Sequence, residues 1–219
     1  MSYKAVLFDL DGTLLDTLED LADATNEVMA TLGFPTHPID AFRYFVGDGM
    51  KNLLLRCLPE ARRDEATLAQ AIGMFREAYG RNWADKTRPY DGVPELLDAL
   101  TGRGVPMAVL SNKPHEFTKL CVARLLPRWA FAAVQGVSET NPPKPDPVGA
   151  LAITEHLGVA PAEFLYVGDT NTDMKTAAAA GMFAVGVTWG FRPPEELLAN
   201  GARALIDTPS ELLGLLGRD

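Results

Sequence analysis

Cysteine is nearly absent from this 219-residue chain: Cys57 and Cys121 are the only two, too few for a disulfide framework and without the paired spacing of a zinc or redox motif. A reduced, cytoplasmic compartment is the default that follows. Positive charge is scarce as well, with 20 Lys and Arg against 29 Asp and Glu, a formal −9. That balance argues against a surface built to neutralise nucleic-acid phosphates, though it leaves room for a small anionic ligand. No run approaches the roughly 18 uninterrupted apolar residues that a membrane-spanning helix requires. The amino terminus shows neither a long apolar core nor a small-residue cleavage site, so export is not expected.

Hydrophobic residues make up 47% of the chain, enough to bury a proper core at this length. Ala5-Val6-Leu7-Phe8 reads as a buried strand. From Leu18 to Asp85 the period changes. Leu21, Ala24, Val28 and Leu32 recur at helical spacing, and further helices read over Ile39–Val46, Met50–Leu58 and Arg63–Trp83. Beyond Pro89 the pattern alternates: strands over Val105–Leu110, Phe131–Val137, Phe164–Val167 and Phe183–Val187, with helices over Val93–Leu100, His115–Leu126, Pro147–Leu157 and Met174–Ala180. The expected fold class is α/β, a Rossmann-like parallel sheet interrupted early by an all-helical insertion. Residues 1–16 and 86–219 would form the catalytic core and 17–85 the helical cap.

Ligands of a parallel α/β sheet collect at the carboxyl ends of its strands, so polar residues that follow apolar runs are the first suspects. They are Asp9-Leu10-Asp11-Gly12-Thr13, Ser111-Asn112, Lys144 within a proline-rich loop, and Gly168-Asp169 through Asp173. Carboxylates crowded from two strand ends repel one another unless a cation holds them, and Mg²⁺ suits such an oxygen set, with Asp9 and Asp169 as ligands. An ionised Asp can attack phosphorus and form an aspartyl-phosphate, a role that suits Asp9. Asp11 is placed to protonate the leaving oxygen and then deprotonate water. Lys144, Thr13, Ser111 and Asn112 offer the positive charge and donors that a transferring phosphoryl group needs. A calcium loop opening at Asp169 is excluded, because Met174 stands where that loop needs glycine and Ala180 where it needs glutamate.

Phe8 to Leu14 with Leu15-Asp16, Ser111-Asn112, Lys144-Pro145, and Gly168-Asp169 with Asp173 resemble the four motifs of haloacid dehalogenase-superfamily phosphatases, over essentially the whole chain. The helical block between the first two motifs is similar to that superfamily's inserted C1-type cap. The resemblance implies a Mg²⁺-dependent phosphomonoesterase. Its metal would be held by Asp9, the backbone carbonyl of Asp11, and Asp169, with Asp173 in support. Gly47, Gly49, Leu53 and Asp91-Gly92-Val93 look most similar to phosphoglycolate phosphatases, which points to 2-phosphoglycolate as substrate. A sugar phosphate, nucleotide or pyrophosphate is the alternative, as is a phosphomutase of the β-phosphoglucomutase kind, which would share the aspartyl-phosphate. Val137-Ser138-Glu139-Thr140-Asn141 departs from the Gly-Asp-rich run of the phosphoglycolate pattern.

Within the cap, the break at Gly47–Lys51 is the expected specificity loop, and Gly49 and Lys51 the expected substrate contacts, the lysine reading a carboxylate. Arg76, Tyr79 and Trp83 share one helix face and are expected to pack. His37, His115 and His156 receive no role. The partner implied is a small phosphoester, with no nucleic acid and no membrane.

Overall fold

Ala5-Val6-Leu7-Phe8 offers no polar position to turn towards water, and the chain buries all four as β1 (Ala5–Phe8). The computed structural model describes residues 3–217; the two residues at each end of the expected core, 1–2 and 218–219, lie outside them. β1 is an inner strand of a six-stranded sheet with β4 (Met107–Pro114), β5 (Ala133–Val137), β6 (Phe164–Gly168), β7 (Phe183–Val187) and β8 (Ala204–Ile206). The order is β5-β4-β1-β6-β7-β8, and every pairing is parallel. Alternation along β1 sends Val6 and Phe8 to one face and Ala5 and Leu7 to the other, so each face needs its own helical cover. α5 (Val93–Gly102), α6 (His115–Leu125) and α10 (Leu212–Leu215) bury the first face, while α7 (Val148–Leu157), α8 (Asn171–Ala180) and α9 (Pro194–Ala199) bury the second.

Between β1 and the rest of this sheet the chain leaves through β2 (Leu15–Asp16) and returns through β3 (Arg88–Pro89), an antiparallel pair matching Leu15 to Pro89 and Asp16 to Arg88. Strands of two residues carry no periodicity, so the sequence pattern did not reveal them. The excursion consists of α1 (Leu18–Thr31), α2 (Ile39–Phe45), α3 (Met50–Cys57) and α4 (Glu65–Asn82), packed around a hydrophobic cluster of their own that includes Leu21, Val28, Phe42, Leu54 and Phe75. Buried Asp20 on α1 clasps the returning chain, accepting hydrogen bonds from the backbone N–H of Lys86 and from the N–H and hydroxyl of Thr87 at 2.6–3.1 Å.

Two elements differ from their sequence expectation in ways that matter for the site. β4 continues through Ser111, Asn112 and Lys113 to Pro114, but its register against β5 shifts between Leu110 and Pro114, and such an irregularity re-aims side chains at a sheet edge. α8 starts at Asn171 rather than Met174, because Thr170 and Asp173 form a reciprocal capping box. None of the described helices is long and apolar enough to cross a membrane.

Candidate active site

Register brings the polar strand ends together. Phe8 stands opposite Val109 on β4 and Val167 on β6, so Asp9, Ser111 and Asp169 emerge within two residues of the same line across the sheet. The Asp9 N–H donates to the Val167 carbonyl at 2.9 Å, holding the first turn after β1 against β6. Gly12 follows with φ at 86°, and any side chain there would run into the Asp169 carboxylate and the Phe191 ring; both demands select glycine. Lys144 reaches in from the loop before α7, its Nζ 2.8 Å from Asp9 Oδ1, 2.7 Å from Asp173 Oδ1 and 3.2 Å from the Leu110 carbonyl. Asp173 uses its other oxygen to accept from the Thr170 N–H at 3.1 Å and hydroxyl at 2.7 Å. It therefore ties the start of α8 to Lys144.

Asp9, Asp169 and Asp173 are all buried and can each offer an oxygen within 4.8 Å of the others. With all three ionised, the single ammonium of Lys144 leaves two negative charges, the charge of one divalent cation. Burial and the Asp173 and Asp169 charges push Asp9 well above the ordinary carboxylate range, against the pull of Lys144. Burial, with Asp173, likewise pushes Asp169 up to about 7, although the Phe191 N–H at 2.8 Å and the Thr13 hydroxyl at 3.1 Å oppose it. Burial alone would lower Lys144, but the Asp173 and Asp9 carboxylates override it and keep the amine protonated. An all-oxygen, carboxylate-rich set with residual negative charge fits a hard cation such as Mg²⁺.

Asp11 does not join that cluster through its side chain. Both of its oxygens accept from Lys113 Nζ, at 2.8 and 2.9 Å, and the same ammonium sits 5.0 Å from the centroid of the Tyr79 ring. Burial would lower Lys113, yet Asp11 holds it well above the usual lysine range. Lys113 was missed by sequence reasoning, which stopped one residue short at Asn112. The available signal was its place in the same strand end.

The other expected contacts separate. Ser111 lines the cavity beside Asp9, and its hydroxyl accepts from the Lys113 N–H at 3.2 Å. Asn112 lines it too and acts as a clamp: its amide nitrogen donates to the carbonyls of Gly47 and Lys144 at 2.9 and 3.2 Å, and its oxygen accepts from the Lys144 N–H at 2.7 Å. Thr13 does not line the cavity, since its hydroxyl is committed to Asp169 and its carbonyl to the Trp189 indole N–H. Gly49 lines it, at φ 84°. Lys51, expected as a substrate contact, is exposed on α3 and does not line it, whereas Met50 and Leu53 do. The cavity is about 240 Å³ and lies between the sheet edge and the helical block. Tyr79 packs as expected, stacked on Phe75 at 5.3 Å and beside Phe117, whereas Arg76 lines the cavity and so departs from its expected packing role. His37 Nε2 meets the Cys57 carbonyl at 2.8 Å, and His115 Nδ1 accepts from the Gly136 N–H at 3.2 Å.

Comparison with known proteins agrees with this arrangement. The family model for haloacid dehalogenase-like hydrolases matches residues 6–187. A phosphoglycolate phosphatase of Thiobacillus denitrificans is 38% identical over 200 residues, covering 89% of this chain and 88% of its own length. An N-acetylmuramic acid 6-phosphate phosphatase of Pseudomonas aeruginosa is 32% identical, covering 100% and 96%. A solved structure from Lactobacillus delbrueckii subsp. bulgaricus superposes with a TM-score of 0.93 at 29% identity, covering all of both chains. A sheet-edge site of this composition, matched end to end by such relatives, makes the chain a member of the haloacid dehalogenase-like hydrolase family and a phosphatase of phosphate monoesters.

Proposed function

We propose that the chain hydrolyses a small phosphorylated acid, of which 2-phosphoglycolate is the leading candidate, through a Mg²⁺-dependent aspartyl-phosphate mechanism. The observation that carries this reading is the setting of Asp9. Its Oδ1 accepts from the Leu10 N–H at 2.7 Å and from Lys144 at 2.8 Å, while among the described residues Oδ2 has no hydrogen-bond partner, and Asp9 lines the cavity. A carboxylate fixed through one oxygen presents the other as a nucleophile.

In the first step Asp9 Oδ2 bonds to phosphorus and the bond from phosphorus to the substrate oxygen breaks. Asp11, which takes a proton from solvent and releases Lys113 before this step, gives that oxygen the proton, and the ion pair with Lys113 re-forms around the resulting carboxylate. In the second step water attacks phosphorus, Asp11 takes its proton, and the bond to Asp9 breaks to release inorganic phosphate. Ser111 lines the cavity beside the transferring group, Lys144 supplies positive charge from behind Asp9, and Asn112 holds the Lys144 loop in place. Mg²⁺ held by Asp9, the Asp11 carbonyl and Asp169 would add positive charge at the phosphoryl oxygens. Residues 17–85 serve as a cap that excludes bulk water during the first step, hinged where β2 pairs with β3. Free, buried Cys57 and Cys121 support the cytoplasmic location in this reading.

The relatives' names support a phosphorylated acid as substrate: one is named for phosphoglycolate and the other for an acid 6-phosphate. The test is phosphate release from 2-phosphoglycolate, sugar phosphates, nucleotides and pyrophosphate, with Mg²⁺ and with a chelator. Release led by 2-phosphoglycolate, lost with chelator and lost in Asp9→Asn, is expected. Undiminished release from Asp9→Asn would sink the covalent mechanism, and release led by a neutral ester would sink the substrate assignment.

A further inference from the structure

The wall of the cavity divides by chemistry. Asp9, Asp11, Ser111, Asn112 and Lys113 stand at the sheet edge; Leu21, Met50, Leu53, Phe75, Tyr79 and Phe117 form most of the apolar wall opposite. A carboxylate carried into that apolar portion loses its water and gains nothing in return unless a cation meets it. Two cations line the cavity. Lys113 is committed to both oxygens of Asp11. Arg76 is not committed: among the described residues it makes no ion pair within 4.0 Å and no side-chain hydrogen bond. Exposed yet lining the cavity, it stands on α4 one turn before Tyr79 and so marks the rim where the apolar wall meets solvent. Glu116 on α6 also lines the cavity, and its charge disfavours a substrate carboxylate on that side.

We propose that Arg76 reads the carboxylate of the substrate, and that the substrates are phosphate monoesters of hydroxy acids whose carbon body lies against Leu21, Met50, Leu53, Phe75, Tyr79 and Phe117. This rests on the phosphomonoesterase reading of the same site. The planar fork of the guanidinium takes a carboxylate through two parallel hydrogen bonds, and at the cavity rim it does so without a competing protein carboxylate. Arg76 acts in recognition only and takes no part in the bond changes at phosphorus.

The experiment compares kcat/KM for phenyl phosphate and 4-carboxyphenyl phosphate, two aryl esters that differ by one carboxylate, in the wild-type protein, Arg76→Ala, Arg76→Lys and Lys51→Ala, all with Mg²⁺. The wild type is expected to favour the carboxylated ester. Arg76→Ala should lose about tenfold in kcat/KM on that ester, through KM, bringing the two esters together. Arg76→Lys should recover part of the preference, and Lys51→Ala should retain all of it. An unchanged ratio in Arg76→Ala, equal losses on both esters, or loss of the preference in Lys51→Ala would each overturn the assignment of Arg76 while leaving phosphatase activity in evidence. No phosphate from any ester, 2-phosphoglycolate included, would instead overturn the phosphatase reading and this inference with it.

Discussion

Asp11 and Lys113 show how much one neighbour changes a residue. Both side chains are largely withdrawn from water, 13% and 4% exposed, and each is the other's counter-charge. Removing one partner strands the other, so Lys113→Met is expected to destabilise the fold by about 3 kcal/mol in urea unfolding. Combining it with Asp11→Asn should recover most of that loss, a coupling read from the double-mutant cycle. Additive losses would mean that the pair is not the source of the cost. Asp9, Ser111, Asp169 and Lys144 were legible in the sequence because each follows an apolar run or sits in a proline-bound loop. Lys113 and Arg76 were not, for two different reasons. The first lies inside a strand whose end the pattern could not fix, and the second shares a helix face with residues that truly pack.

Among the elements, the turn between α2 and α3 carries more than its glycines suggest. Asp48 binds Arg56 at the end of α3 and accepts from the hydroxyl of Thr172 on α8 at 2.7 Å, so it bridges the helical block to the sheet layer. Burial raises its carboxyl, but Arg56, Thr172 and Arg192 more than offset this, and the folded pKa lies below the ordinary value. A depressed carboxylate adds stability in full above its unfolded pKa, near 3.9, and loses it as pH falls through the folded value. Asp48→Asn should therefore cost about 1 kcal/mol at pH 7. Urea titrations of both proteins should converge as pH drops below about 4, and a constant gap would show that the charge contributes nothing. The sequence marks this turn as a loop that contacts substrate through Gly49 and Lys51; Gly47 and Gly49 do line the cavity, while Arg56 goes to Asp48 and Lys51 is exposed.

For the whole molecule, the crowding of Asp9, Asp169 and Asp173 at the sheet edge, met by repulsion or by proton uptake, is a standing cost to folding that a divalent cation relieves. Mg²⁺ at about 100 times its dissociation constant contributes roughly 2.7 kcal/mol through preferential binding to the folded chain. Thermal unfolding should accordingly shift upward by about 5–10 °C at this size, and chelator should reverse the shift. Asp169→Asn should show little response, and an equal response in that variant would place the ion elsewhere. The parallel sheet itself was readable from buried runs such as Ala5-Val6-Leu7-Phe8 alternating with helical periods. The strand order was not, because nothing local tells β1 that its neighbours come from Met107–Pro114 and Phe164–Gly168 rather than from the next run along. The two-residue β2 and β3 were equally silent, yet they set a property of the architecture. Leu15 and Pro89 face each other across that ribbon, so the helical excursion leaves and re-enters the core at a single paired doorway. A segment so attached is a cassette: another insert whose ends meet at the same spacing could replace it without disturbing a strand of the main sheet, allowing ligand preference to diversify while the reacting groups stay put.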